Sequence, residues 1–284
     1  MRCPVCRDVL SILPGHSPDG RTGAGVLGCG TGHRFDVARQ GQVVLVSGGS
    51  KLRADTTDMV AARVRVLASG ALDVVRDALL AAAASLTEAG EDGLVVDLGA
   101  GTGAYTAAVL DVLPRHHGLA LELSTPALRV AAQAHPRLAA VGADLTRPLP
   151  LADGAVGAGS AVVAVFAPLP AADELRRVTR AGAGLVVVTP TPAHLAGLRG
   201  RLGLLDVPAG KPERVQARLG PTWAPTGRTD VSATTVLDRE RAVDVVAMGP
   251  NAWHTDDRLR AALSDLPGTV QDTVAVTVSA FRRT

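Results

Sequence analysis

Short, largely apolar runs, several of them stopped by a glycine or an acid, recur from Gly93 to the end of the chain. They include Leu94-Val95-Val96, Leu119-Ala120-Leu121, Leu138 to Val141, Ala161 to Val165, Leu185 to Val188 and Val274 to Val278. Most lack the alternation of a half-exposed strand, and helix-length segments separate several of them. That pattern predicts buried parallel strands with helices packed on the sheet. With a further strand expected around Thr234 to Asp238, it predicts an α/β sheet of about seven strands, most of them parallel.

Upstream the period changes. Asp58 to Leu86 is rich in Ala, Val, Leu and Arg at helical spacing and is broken at Gly70, which predicts two helices. Asp55, Thr56 and Thr57 supply N-cap chemistry at the entry. Before them, residues 34–49 predict a short amphipathic segment and a strand. The chain therefore divides into a module at 1–50, a helical linker at 51–90 and a main domain at 91–284.

Composition adds two constraints. Aromatic residues make up 2% of the chain against 47% hydrophobic, so the core must be built from Ala, Val and Leu. Residues 1–53 carry Arg2, Arg7, Arg21, Arg34, Arg39, Lys51 and Arg53 against Asp8, Asp19 and Asp36, a net of +4 in a chain of net +2. Charge alone fits a polyanionic partner and a solvated surface equally well. The first residues lack an apolar run with a small-residue cleavage site, and the longest apolar windows contain Gly and Pro. The expectation is a cytoplasmic protein with no membrane span.

All three cysteines lie near the start. Cys3-Pro-Val-Cys6 is one short chelating pair, and Cys29-Gly-Thr-Gly-His33 is a second whose glycines permit a tight turn. Two such pairs, joined by a polar Gly- and Pro-rich loop, meet the needs of a tetrahedral Zn²⁺ site. A redox pair would need C-x-x-C at a helix start after a strand, and here the motif lies at the extreme N-terminus with no preceding strand. His16, inside the loop, is the competing ligand.

The main domain opens on Gly93-Leu-Val-Val-Asp97-Leu-Gly99-Ala-Gly101-Thr-Gly103, a strand turned into a helix by alternating glycines. Such a turn also serves dinucleotide folds. Three acids discriminate. Asp97 stands two residues before the first glycine, Glu122 ends the second strand nineteen residues after Gly103, and Asp144 ends the third. Acids at three successive strand tips suit S-adenosylmethionine, with Asp97 toward the amino-acid end, Glu122 on the ribose and Asp144, followed by Leu145, on the adenine. NAD fits less well, since it would need its pyrophosphate held at the helix N-terminus.

Ligands in open parallel sheets lie beyond the carboxyl ends of the strands. Phe166-Ala167-Pro168 and Thr189-Pro-Thr-Pro-Ala-His194 should therefore rim a catalytic pocket. Phe166 or Trp253 is a candidate to stack on a base. His194 is a candidate base or substrate contact, or a structural histidine at a helix start, and Asp58 is a further candidate. No cysteine follows Cys29, which argues against C5 methylation of pyrimidines, and no three-cysteine iron–sulfur motif is present for radical methylation. The Asp/Asn-Pro-Pro-aromatic motif of amine methyltransferases is also missing. Direct in-line transfer to nitrogen or oxygen remains.

The order C-x2-C, C-x3-H, FDVA, ADTTDMVAAR, VVDLGAGTG, FAP, TPTPAHL and AMGPNAWH, spread over nearly the whole chain, resembles the bacterial 23S rRNA (guanine-N1)-methyltransferases. It is most similar to their tylosin-resistance branch. The resemblance implies a class I S-adenosylmethionine-dependent methyltransferase domain with a small N-terminal zinc-binding domain that helps bind an rRNA hairpin loop. It further implies a homodimer, transfer to N1 of a guanine, and macrolide resistance. Cys3, Cys6, Cys29 and His33 match the zinc ligands, and Gly99, Gly101, Gly103, Glu122 and Asp144 the cofactor positions. The chain departs from the family pattern at Gln42, where an aromatic is usual, at Glu122 for Asp, at Leu169 for a basic residue, and in a longer loop between the zinc knuckles. A small-molecule methyltransferase of an antibiotic cluster and a catalytically silent RNA-binding relative stand as the alternatives.

Overall fold

The structure is a computed structural model that describes residues 1–13, 25–46, 48, 50, 52–87, 92–254 and 256–284. His16 lies outside the described residues. Near the N-terminus β1 (Ser11–Leu13), β2 (Val26–Gly28) and β3 (Arg34–Asp36) form a small antiparallel sheet. The apolar runs become the main sheet: β4 (Val43–Val44), β5 (Gly93–Leu98), β6 (His116–Glu122), β7 (Leu138–Gly142), β8 (Ala161–Val165), β9 (Gly184–Pro190), β10 (Trp223–Asp238) and β11 (Thr269–Arg283). The order is β10-β11-β9-β8-β5-β6-β7-β4. From β9 to β4 every pairing is parallel, while β11 and β10 close the sheet antiparallel.

The helices are α1 (Thr57–Ala68), α2 (Asp73–Leu86), α3 (Ala104–Val112), α4 (Thr125–Ala131), α5 (Ala172–Val178), α6 (Ala196–Leu202), α7 (Lys211–Leu219), α8 (Arg239–Ala247) and α9 (Asp257–Ser264). Successive strand residues point to opposite faces, and β5 sorts accordingly. Val95 joins a cluster with Leu79 of α2, Val109 of α3 and Leu128 of α4. Val96 joins the other cluster, with Leu175 of α5 and Leu219 of α7. The expected α/β class with a mostly parallel sheet is what forms.

The sheet has eight strands rather than seven because β4, two residues from the N-terminal module, pairs with Val141 and Gly142 of β7. A two-residue strand carries no period of its own. Residues 1–13 and 25–46 also lie on the sheet: Cys3, Leu10, Cys29 and Val43 are buried in the same apolar cluster as Leu119 and Leu121. The Arg2 N–H donates to Pro150 O at 2.9 Å, and Arg7 Nη1 donates to Leu149 O at 2.8 Å.

Candidate active site and metal centre

The C-terminal ends of β5, β6, β7, β8 and β9 meet at one rim. At its centre Gly99, Gly101 and Gly103 all have positive φ (71°, 54° and 73°), a conformation that side chains resist. Space is also short at the first of them, where a Cβ would stand 2.7 Å from that of Ala167. The loop is fastened from β6, as Gly99 N–H donates to Leu121 O at 2.8 Å.

The expected cofactor residues surround this loop unequally. Asp97 sits beneath it, 2% exposed, with its carboxylate taken by the Thr106 hydroxyl of α3. Burial, with Glu122 adding to it and Thr106 opposing, pushes Asp97 up to about 7. Glu122 receives the N–H of Gly101 on Oε2 and those of Leu123 and Ser124 on Oε1, each at 2.8 Å. Asp144 accepts from Thr146 N–H at 2.9 Å and Oγ1 at 2.6 Å, and from the Ser50 hydroxyl at 2.8 Å. Burial alone would raise its pKa. The Thr146 and Ser50 bonds and the Arg147 guanidinium outweigh that and hold it below the usual carboxylate range. Leu145 packs toward Gly99, its Cδ1 3.9 Å from the position of a Cβ there.

Beside the loop, Ala167 leads to Phe166, which is 41% exposed and held at φ 55°. Its N–H donates to Val188 O at 3.0 Å. The Phe166 ring lies 5.4 Å from the His194 ring at 48°. Burial first, then the neighbouring Arg199, push His194 down to about 4. Gly99, Ala167, Phe166 and His194 thus form a continuous line from the glycine loop to an exposed aromatic. Pro168 is exposed next in the chain, whereas Leu169 is buried. Trp253, in a 3-10 turn at Pro250–His254, faces Arg53 instead, 5.6 Å from its ring centroid. Asp58 is exposed in the first turn of α1.

Sequence reasoning missed two groups at this rim, Ser50 on Asp144 and Arg63 of α1 against Gly101. Each reaches the site from outside the sheet, so no strand-end pattern marks it. Thr189, first residue of the segment expected to rim the pocket, has a buried hydroxyl with no partner among the described residues. A separate cavity of about 490 Å³, lined by Met1, Leu94, His117, Arg137 and Leu151, lies at the opposite end of the strands.

The four expected metal ligands come together. Cys3, Cys6, Cys29 and His33 each offer one donor atom, and these lie within 4.8 Å of one another. Cys6 Sγ is 3.7 Å from Cys29 Sγ, which is 3.4 Å from His33 Nδ1. The turns explain the convergence. Arg7 takes φ 66° and donates its N–H to Cys3 O, and Gly32 takes φ 98° and donates to Cys29 O. Asp8 ties the knuckles together by accepting the Gly30 N–H at 3.1 Å. Thr31 Oγ1 lies 3.0 Å from Cys6 Sγ and 3.1 Å from both Cys29 Sγ and His33 Nδ1. That hydroxyl, with His33, brings the Cys29 thiol down to about 6. Three sulfurs and one imidazole nitrogen fit a closed structural zinc site.

No family model matches the chain. It is 42% identical over 283 residues to the 23S rRNA (guanine(748)-N(1))-methyltransferase of Streptomyces fradiae, covering 99% of this chain and 96% of that protein. It is 43% identical to a Micromonospora griseorubida protein named as a 23S rRNA (guanine-N1)-methyltransferase, over 99% and 97% of the two chains. Solved structures give the fold. A SAM-dependent methyltransferase from Anabaena variabilis superposes with a TM-score of 0.50 at 11% identity, over 84% of this chain and 100% of that one. A chain from the complex of the Haloferax volcanii Trm112 methyltransferase activator with a methyltransferase gives 0.50 at 20% identity, over 81% and 98%. The sheet is therefore that of a class I methyltransferase, and near-full-length identity at this level places the chain in the 23S rRNA (guanine-N1)-methyltransferase family.

Proposed function

We propose that this protein methylates N1 of a guanine in a hairpin loop of 23S rRNA, with S-adenosylmethionine as donor. The observation that carries the reading is the line from Gly99 through Ala167 to Phe166 and His194, which joins a cofactor-type loop to an exposed aromatic. Glu122 and Asp144 would hold the ribose and adenine ends, and Gly99 and Leu145 would face the donor. When bound, the donor supplies an electrophilic methyl group on sulfur.

The chain's own residues do the rest. An unpaired guanine is required because N1 is occupied in a duplex. Phe166 stacks on the base and Pro168 lines its entry. His194 keeps its proton on Nε2, since Nδ1 accepts the Ala275 N–H, and offers it as a hydrogen bond to guanine O6. As N1 bonds to the methyl carbon, the methyl carbon–sulfur bond breaks and its electron pair stays on what becomes a neutral thioether; N1 loses its proton to water, while negative charge gathered on O6 meets the imidazole N–H. Cys3, Cys6, Cys29 and His33 would hold zinc, which would staple the basic N-terminal module that docks RNA. Methylation of a drug-facing guanine accounts for tylosin-type resistance, and the enzyme works as a cytoplasmic homodimer. Among the described residues no helix is long and apolar enough to cross a membrane.

Mass mapping of 23S rRNA from cells with and without the gene tests the reading, alongside tylosin sensitivity of the same strains and light scattering of the purified protein. A new N1-methylguanine in one hairpin loop is expected. Its absence from every hairpin loop sinks the rRNA assignment.

A further inference from the structure

We propose that Arg63 of α1 binds the carboxylate of the methyl donor, which makes the helix outside the sheet a wall of the cofactor site. The inference rests on the methyltransferase reading above and names the group that fixes the donor's amino-acid end.

A Cβ built on Gly101 would lie 3.2 Å from Arg63 Nη1 and 3.6 Å from its Cδ. The guanidinium therefore lies against the glycine loop, in space left open by the missing side chain. Gly101 also donates its N–H to Glu122 at 2.8 Å. One glycine thus has an acid on one side and a cation on the other.

Arg63 is held in place before any ligand arrives. Nη1 pairs with Asp55 at 2.5 Å and Nη2 donates to Met248 O at 2.8 Å. Asp55 is itself fixed, as its carbonyl accepts the Ser124 hydroxyl at 2.7 Å. These bonds leave Nε and one hydrogen on each terminal nitrogen for a ligand. The side chain is 24% exposed, open enough to be reached and sheltered enough for charge to count. Planar forked donors suit a carboxylate better than an ammonium does.

Charge sets the direction of the ligand. Glu122 and Asp144 occupy the tips of β6 and β7 and would repel a carboxylate. The neutral nucleoside belongs over those acids, and the anionic end belongs at Arg63. Fixing the donor at both ends aims its methyl group toward Phe166, the side on which Ala167 meets Gly99.

Calorimetry with S-adenosylmethionine and its decarboxylated analogue, without RNA, isolates the contact because the two ligands differ in the carboxylate alone. Arg63→Gln is expected to weaken S-adenosylmethionine about 30-fold, the scale of a lost charged hydrogen bond. Its affinity for the decarboxylated analogue should stay within about threefold of wild type. Arg63→Lys should fall between on the first ligand and match wild type on the second. If Arg63→Gln does not fold, Arg63→Lys carries the comparison by itself. Equal losses on both ligands would reduce Arg63 to a strut between Asp55 and Met248, and no loss on either would remove it from the site. A wild-type protein that binds neither ligand would instead overturn the methyltransferase reading.

Discussion

The backbone N–H of Ala275 donates to Nδ1 of His194 at 3.2 Å, and this bond decides what the imidazole can do. With Nδ1 engaged as an acceptor, the ring's proton sits on Nε2. Burial holds the pKa near 4 against 6.5 for an ordinary histidine. Folded His194 is thus neutral throughout the physiological range, which suits the hydrogen-bond donor of the proposed function better than a general base.

The first expectation follows by linkage. An unfolded chain takes up its proton near pH 6.5 and the folded chain resists until about 4. His194's contribution is therefore complete above pH 6.5 and is lost as pH falls toward 4. Between about pH 7.5 and 5 it amounts to about 2 kcal/mol. Guanidinium unfolding at both pH values should show that loss in wild type and a smaller one in His194→Gln. The rate of methyl transfer should show no histidine ionisation between about pH 6 and 8. A bell with an arm near 6.5 would contradict the donor assignment.

Glu122 makes a different prediction because, on the proposed function, one carboxylate has two jobs. Its three backbone donors, Gly101, Leu123 and Ser124, link the glycine loop to the start of α4. Glu122→Ala leaves them to solvent and should cost about 2 kcal/mol of stability. Glu122→Gln keeps the shape and loses the charge, so its cost should be nearer 1 kcal/mol. Both should weaken donor binding about tenfold or more, since a ribose hydroxyl loses its acceptor. Chemical unfolding together with calorimetry separates the two jobs. Full donor affinity in Glu122→Ala would remove this residue from the cofactor site.

How much of this was readable beforehand varies with the physics of each element. The strands from β5 to β9 are buried on both faces, so continuous apolar runs such as Leu185 to Val188 betray them. β10 runs from Trp223 to Asp238, but only its end around Thr234 to Asp238 was expected. It is an edge strand exposed along Thr226 to Asp230, so its first half shows polar residues where a buried strand would show Val or Ile. The three-residue strands β1 to β3 are too short to carry a period. The four metal ligands were legible because two tight chelating turns fix their geometry within a few residues. Arg63 and Ser50 were not, because tertiary packing brings them to the loop and no local spacing records it.

Asp97 gives a prediction of opposite sign to that of His194. Its pKa is raised from 3.8 to about 7 by burial, so the folded protein prefers the protonated acid. Stability from this group is fully present below about pH 4 and is lost as pH rises through 7. Asp97→Asn retains an oxygen to accept the Thr106 hydroxyl and removes the buried charge. The variant should melt close to wild type at or below about pH 4, and progressively above it as pH rises to about 8.5. Scanning calorimetry of the donor-free protein checks this, and a variant less stable at the higher pH would show that Asp97 is ionised at no cost in the folded state.

The metal prediction turns on how the N-terminal module is attached. A free-standing clip would unfold alone on metal loss and leave the methyltransferase sheet untouched. Here Cys3 and Cys29 are buried in one cluster with Leu119 and Leu121, Val43 and Val44 extend the sheet beside β7, and Ser50 bonds to Asp144. Loosening the knuckles should therefore reach Asp144, at the end of the groove proposed for the adenine. We expect one zinc per chain by elemental analysis, lost in Cys29→Ser or with a strong chelator. Hydrogen exchange should then rise across residues 1–13 and 25–46 and at the β7 edge around Val141 and Gly142. Donor affinity should fall by at least about threefold along with RNA binding, because Asp144 loses its Ser50 partner. If metal-free protein binds the donor as tightly as the zinc form while losing only RNA, the module is an appendage and not part of the sheet's edge.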